Sequence, residues 1–391
     1  MSKKCTTLKA FGRACAIGAS ITTTTYFDYM HPSITKPTFI VNEAVCRANI
    51  MRMAGKARDS GVAFRPHFKT HQSEAIGHWF KDYGVNSITV SSVSMARQFA
   101  SAGWDDITIA FPVNIREIEM IRALAKEIRL NLLVDSVEVI APLASQIDST
   151  VGIFIEIDAG YRRSGMNYAD QEKISLCIAS LNKYKHLRFK GFLTHSGNTY
   201  NAQDRERIKN IFTRDAGILK SLKDNFAASN PDIIISMGDT PSCSLVDDLS
   251  IVDEIRPGNF VYYDLMQYYL GSCAFEDIAV CVACPVSGIY TDRNEFLIYG
   301  GASQLSKEFL KKDKLNIYGQ VVHFNDNGWS TPVNDTYVIS LSQEHGIIKS
   351  EPDFISRIRH GDILGIVPVH SCLTAKLLKD NIMILQHCSS H

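Results

Sequence analysis

The sequence predicts an α/β protein: a (β/α)8 barrel of the TIM type, followed by a smaller, mainly β domain. Three observations carry this. From residue 38 to about 280, short apolar runs alternate with amphipathic stretches, the pattern of strands and helices in βα succession. These runs are continuously apolar, as expected where a parallel sheet is buried on both faces. After about residue 280 the helical spacing fades, and β-rich runs punctuated by Gly, Asp and Asn take over.

The elements follow in order. Residues 38–41 read as a strand and 44–60 as a helix. Strand-like runs at 87–90, 107–110 and 130–134 each precede a helical stretch, at 95–102, 115–125 and 137–146. Further strands are expected at 152–157, 189–193, 233–237 and 251–256. With the strand that should run into Arg65, about eight units result, enough to close a barrel; a doubly wound open sheet is the alternative. In the β-rich part, strands are expected at 279–289, 295–299, 315–323, 337–342, 363–367 and 382–386. The expected division is a tail at 1–37, a barrel at 38–280 and a β domain at 281–391, the 391 residues being 45% apolar and able to bury a large core.

Composition excludes several classes of function. Forty-one basic and 41 acidic side chains, interleaved, leave no net charge and no basic stripe for nucleic-acid phosphates. No apolar run reaches the roughly 18 residues of a membrane span. Ten cysteines lie scattered singly, unlike a disulfide framework, which points to free thiols and a cytoplasmic setting. Lys3, Lys4, Lys9 and Arg13 precede a short apolar stretch at 14–21, and no acid occurs before Asp28. That pattern fits a targeting segment, but the ordinary behaviour of termini favours a loose tail.

In a parallel barrel, chemistry gathers where strands end. Arg65-Pro66-His67-Phe68-Lys69-Thr70-His71 follows the first barrel strand, and a lysine there forms an imine with an aldehyde cofactor if neighbouring cations or burial keep its amine neutral. The turns Met237-Gly238-Asp239-Thr240 and Arg256-Pro257-Gly258-Asn259 follow late strands and suit a phosphate. Arg163 after the strand at 152–157 and His195 and Tyr200 after the strand at 189–193 are placed to flank a planar ring, the arginine setting the charge on its nitrogen. In Pro368-Val369-His370-Ser371-Cys372, positions two apart in an extended segment share a face, so His370 and Cys372 are a candidate metal pair. Imidazole with thiolate suits zinc and leaves positions for water and substrate. Glu344-His345-Gly346 is a further polar cluster in the same part of the chain.

Together these motifs resemble the fold-type III pyridoxal-phosphate enzymes, and within them the metal-activated D-serine dehydratase and D-threonine aldolase group. The match runs in the family's order through Arg65-Pro66-His67-x-Lys69-Thr70-His71, Gly160-x-x-Arg163-x-Gly165, His195-x-Gly197-x-x-Tyr200, Gly238-x-Thr240-Pro241, Arg256-Pro257-Gly258-Asn259, Glu344-His345-Gly346 and His370-x-Cys372. The resemblance implies an alanine-racemase-like barrel whose β domain also takes up the strand near Thr38. It implies Lys69 as the Schiff-base lysine, cofactor phosphate at Thr240, Gly258 and Asn259, Tyr200 beside the cofactor, and zinc or another divalent ion at His370 and Cys372. It also implies a homodimer and a small-molecule D-amino acid substrate. Cysteine as second metal ligand resembles the dehydratases more than those aldolases with aspartate there. A D-threonine aldolase is the alternative, and an amino-acid racemase or a non-catalytic pyridoxal-phosphate-binding protein the next. Met95-Ala96-Arg97, Met237-Gly238-Asp239 and Tyr299-Gly300-Gly301 depart from the commoner family pattern and mark a divergent branch.

Overall fold

The computed structural model describes residues 34–325 and 328–386; the basic segment at 1–33 lies outside the described residues. Strand β1 (Thr38–Asn42) leads into helix α1 (Glu43–Asp59), which opens where the Asn42 side chain accepts from the Val45 N–H. The barrel strands are β2 (Ala63–Phe64), β3 (Ile88–Val90), β4 (Asp106–Pro112), β5 (Arg129–Val134), β6 (Val151–Asp158), β7 (Leu187–Leu193), β8 (Ile234–Ser236) and β9 (Glu254–Ile255). Between them run α2 (Glu74–Lys81), α3 (Val93–Ser101), α4 (Ile118–Ala125), α5 (Ile140–Gln146), α6 (Gln171–Leu181), α7 (Arg205–Phe226) and α8 (Thr240–Leu245). Ser73, Ser92, Asp170, Asp204 and Asp239 cap five of these helices with side-chain oxygens.

The barrel strands pair in the order β2-β9-β8-β7-β6-β5-β4-β3, all parallel. The ring closes between β2 and β3 by a bridge of His67 with Thr89, where Phe68 donates to the Thr89 carbonyl at 2.8 Å and Thr89 to that of Pro66 at 2.9 Å. Closure excludes the doubly wound alternative. The closing seam runs through the segment that carries Lys69.

Helix α9 (Leu265–Tyr269) leads to the second sheet: β10 (Val280–Tyr290), β11 (Glu295–Tyr299), β12 (Gly319–Val322), β13 (Tyr337–Leu341), β14 (His345–Lys349), β15 (Ile363–Pro368) and β16 (Ile382–Leu385). Its order is β11-β14-β13-β12-β15-β10-β1-β16, and β11 also pairs with β10, so six strands close on themselves while β1 and β16 extend from the long β10. The strand near Thr38 thus belongs to this sheet, antiparallel to β10. Two expectations need correction. The run at 315–323 breaks into Leu315–Ile317 and β12, and a strand the expected set lacks, β14, starts at His345. The second outcome has a packing reason: a Cβ on Gly346 would meet the Gly300 carbonyl at 2.5 Å, so this glycine lets two chains touch. No helix among the described residues is long and apolar enough to cross a membrane.

Candidate active site

A cavity of about 1010 Å3 opens at the carboxyl ends of the barrel strands, beneath the β domain. Its lining includes Lys69, Arg163, Tyr200, Thr240, Gly258, Asn259, His370 and Cys372, so the fold brings all eight expected residues together.

The cationic run at 65–71 splits by environment. Arg65 turns beneath the cavity, where its guanidinium meets Glu254 and Asp106, each at 2.6 Å. His71 packs edge-on against Phe68 and stacks on Phe80, outside the cavity lining. Its Nδ1 takes the Ser73 N–H, and burial pushes its pKa down to about 3. Only His67 and Lys69 face the cavity. Lys69 is accessible because the cavity is open, yet protein surrounds it. Desolvation, with Arg163 and Arg256 nearby, holds its amine below the usual lysine range, against a pull upward from Cys372. His67 and His195 are pushed well below the ordinary imidazole value, first by burial and then by Lys69, and are neutral.

Two glycine turns form a cradle. Gly238 adopts φ +131°, and a Cβ there would meet Cys243 Sγ at 2.8 Å. A Cβ on Gly258 would meet the His67 carbonyl oxygen at 2.7 Å, so the turn after β9 can approach the Lys69 segment only with glycine. Thr240 Oγ1 accepts from the Phe260 N–H at 3.2 Å and keeps its own proton to donate. Asp239 turns away from the cradle, capping α8 at Ser242 and accepting from Thr199 Oγ1 at 2.9 Å. That accounts for an acid in this turn. The Asn259 side chain is also turned away, donating to Asp264 at 2.7 Å and Ser371 at 3.0 Å, which leaves its backbone to the cradle. The Tyr200 hydroxyl lies on the Thr240 backbone, and burial raises its pKa, so it stays protonated.

The expected arginine, Arg163, is half exposed, 3.8 Å from Glu156 and stacked over Tyr161. A second arginine, which the sequence offered only as part of a turn, lies deeper. Arg256 is buried and lines the cavity floor, donating to Ser236 Oγ at 2.6 Å and the Thr194 carbonyl at 2.8 Å. Desolvation lowers its pKa to about 10, so it remains charged. Its position directly after a buried strand was the available signal. Glu156 and Glu308 also line the cavity and were not foreseen; neither lies in a motif.

His370 and Cys372 face one another, but not along a strand. Pro368 ends β15, His370 is extended at φ −133°, and helix α10 (Ser371–Leu377) begins because Asp264 accepts the Ser371 N–H at 2.9 Å and its hydroxyl at 3.1 Å. Cys372 therefore stands in a first helical turn, with Thr70 Oγ1 3.2 Å from its sulfur. Burial opposes ionisation of the thiol, but hydrogen bonds with His370 and Thr70 hold it below the usual range. Nδ1 of His370 meets Glu308 at 2.6 Å, which leaves Nε2, on the other side of the ring, as the nitrogen that a metal ion would take. Among the described residues no group of three or more His, Cys, Asp or Glu side chains is arranged to hold a metal ion. His345 is exposed and outside the cavity lining, and Glu344 accepts from Gln304.

A closed parallel barrel with a lysine beside its closing seam, two glycine turns after its last two strands and a β domain roofing the mouth have the architecture of the alanine racemase fold, whose enzymes use pyridoxal phosphate. Comparison with known proteins agrees. The profile of the family "Alanine racemase, N-terminal domain" matches residues 41–265, and that of the serine dehydratase domain family matches 279–384. The D-serine dehydratase of Dictyostelium discoideum is 31% identical over 89% of this chain and 93% of its own. The D-threo-3-hydroxyaspartate dehydratase of Delftia sp. strain HT23 is 30% identical over 88% of this chain and 92% of its own; its solved structure superposes with TM-score 0.82 at 28% identity, covering 88% and 93% of the two chains. A cysteine-to-alanine mutant of a D-threo-3-hydroxyaspartate dehydratase, solved in the metal-free form, superposes with TM-score 0.84 at 27% identity, over 92% and 96%. The chain belongs to the fold-type III pyridoxal-phosphate family, in the branch of the D-serine and D-threo-3-hydroxyaspartate dehydratases.

Proposed function

We propose that the protein is a pyridoxal-phosphate- and metal-dependent lyase of D-3-hydroxy amino acids, working as a D-serine dehydratase that forms a 2-oxo acid and ammonia. The observation that carries this is the contact of Thr70 with Cys372: the residue beside Lys69 touches the thiol of the metal pair, so one substrate can span both. Bound pyridoxal phosphate supplies an electron sink for the substrate's Cα, and a divalent ion, zinc by the softness of its donors, supplies positive charge for the leaving β-hydroxyl.

The residues divide the work. Lys69, its amine kept low in pKa, carries the cofactor and moves the proton at Cα. Thr240, Gly258 and the Asn259 backbone hold the phosphate, with Tyr200 beside them as a neutral donor. Arg256 at the floor and Arg163 at the rim supply the cations that orient ring and carboxylate. His370 and Cys372 hold the ion. Loss of the Cα proton with departure of the hydroxyl as water leaves a product that hydrolyses to 2-oxo acid and ammonia. If neutral His67 or His195 takes the hydroxyl proton instead, the Cα–Cβ bond breaks, giving glycine and an aldehyde. The cysteine ligand and the two dehydratase relatives favour elimination. Racemisation needs no leaving-group activation, and a non-catalytic cofactor carrier would leave the metal pair without a role.

The division of labour is between the barrel and a β domain that takes in β1 as well as the chain from Val280 onward and contributes the metal pair. Exposed Phe111, Phe309 and Leu373 at the cavity mouth favour a homodimer in which a second copy covers them. The seven cysteines among the described residues are free thiols, which favours the cytoplasm. The direct test is to incubate the cofactor-loaded protein with D-serine, D-threonine and D-threo-3-hydroxyaspartate, assaying 2-oxo acid, glycine and aldehyde separately. Pyruvate from D-serine is expected. Glycine with aldehyde from D-threonine would move the assignment to the aldolases, and no product from any of the three would overturn it.

A further inference from the structure

The loop at 300–309 delivers a carboxylate to the metal pair, and its construction is specific. Gly301 donates to the Gln304 side chain at 2.9 Å, and Gln304 donates to Glu344 at 2.9 Å, tying the loop to β14. Thr374 in α10 reaches the Leu305 carbonyl at 3.5 Å, tying it to the helix that carries Cys372. Ser306 then adopts φ +66°, a positive backbone angle unusual for serine, and turns the chain so that Glu308 enters the cavity. Glu308 Oε2 ends 2.6 Å from His370 Nδ1, and among the described residues no lysine or arginine pairs with it.

A metal-binding imidazole has one nitrogen for the ion and one N–H to place, and the acceptor of that N–H sets both tautomer and ring direction. We propose that Glu308 is the positioning residue of the metal pair: by accepting the Nδ1 proton it fixes His370 with Nε2 turned toward the ion shared with Cys372. Held at Nδ1, on the side of the ring away from Nε2, it acts through His370 and is not a third ligand. The Glu344-Gln304 bond gains a role from this, since it anchors the loop that presents Glu308.

The inference rests on reading His370 and Cys372 as metal ligands, and the experiment separates the two. Zinc affinity is measured on the cofactor-loaded protein by competition with a chromogenic chelator, for the parent, E308A, E308Q and H370A, with thermal unfolding of the metal-free forms alongside. H370A is expected to lose tight binding. E308A is expected to bind about 10- to 100-fold more weakly, with metal-free unfolding unchanged. E308Q keeps a neutral acceptor for the ring N–H and is expected to fall between. A cobalt-loaded E308A is expected to show an altered ligand-field spectrum, a signature that a purely structural role would not move. Parent-like affinity in E308A and E308Q, with H370A defective, overturns the role of Glu308 and leaves the metal pair standing. Parent-like affinity in H370A overturns both. Should E308A not fold, the E308Q affinity decides alone.

Discussion

Lys69 and His71 stand two residues apart and meet opposite surroundings. Lys69 projects into an open cavity where desolvation first, and then Arg163 and Arg256, lower the pKa of its amine. His71 projects into the rings of Phe68, Phe80 and Phe99, with Nε2 lacking a partner among the described residues. Both lie in the same basic motif, and composition gave no means of separating a reactive residue from a core residue; the direction of each side chain depends on the seam between β2 and β3. The difference is measurable. Burial lowers the folded pKa of His71 to about 3, so as pH falls below about 6.5 the unfolded chain binds a proton that the folded chain refuses. Its contribution to stability is unaffected above that pH and is lost on acidification, by about 1.4 kcal/mol per pH unit until the folded pKa is reached. H71F is expected to flatten the acid limb of a plot of unfolding free energy against pH by about that slope; an unchanged limb would mean that His71 titrates normally.

At the scale of elements, the barrel strands were legible because burial on both faces writes them as continuous apolar runs. The start of α10 was not legible. His370 and Cys372 were expected to share a face as extended neighbours, and they converge instead because Asp264, more than 100 residues earlier in the chain, captures the Ser371 amide and begins a helix. A long-range cap leaves no local trace. The proposed phosphate cradle rests on Gly238, Thr240 and Gly258, and Gly258 carries a sharp expectation. A Cβ there would lie 2.7 Å from a backbone oxygen of the barrel seam, which cannot swing aside as a side chain can. G258A is therefore expected to weaken cofactor binding by about 1–3 kcal/mol of overpacking, read from cofactor titration of a folded protein. Unchanged affinity would show that the cradle lies elsewhere.

At the scale of the whole molecule, the two closed sheets are joined by few but decisive links. β1 precedes the barrel in sequence yet pairs with β10 of the second sheet, so the second sheet needs the start of the described chain as well as its end. That topology follows from long-range pairing, which periodicity does not encode; the resemblance to the family foretold it. Asp264 is another link. Fully buried, it accepts from Asn259 of the barrel turn, from the backbone and hydroxyl of Ser371 in the β domain, and from the Gln267 backbone. D264A leaves several buried donors without an acceptor and is expected to cost about 3 kcal/mol or more, measured by denaturant unfolding; a cost below about 1 kcal/mol would mean water replaces the carboxylate.

The two sheets matter together because the proposed function takes the cofactor lysine from one and the metal ligands from the segment that follows the other, and the chemistry proposed needs both at one substrate. The decisive measurement is the rate of pyruvate formation from D-serine by the cofactor-loaded protein before chelation, after removal of the metal, and after zinc is returned. Loss of pyruvate formation on chelation with cofactor absorbance retained, and recovery with zinc, is the expected result. Pyruvate formation at the same rate in the chelated protein would contradict the joint site.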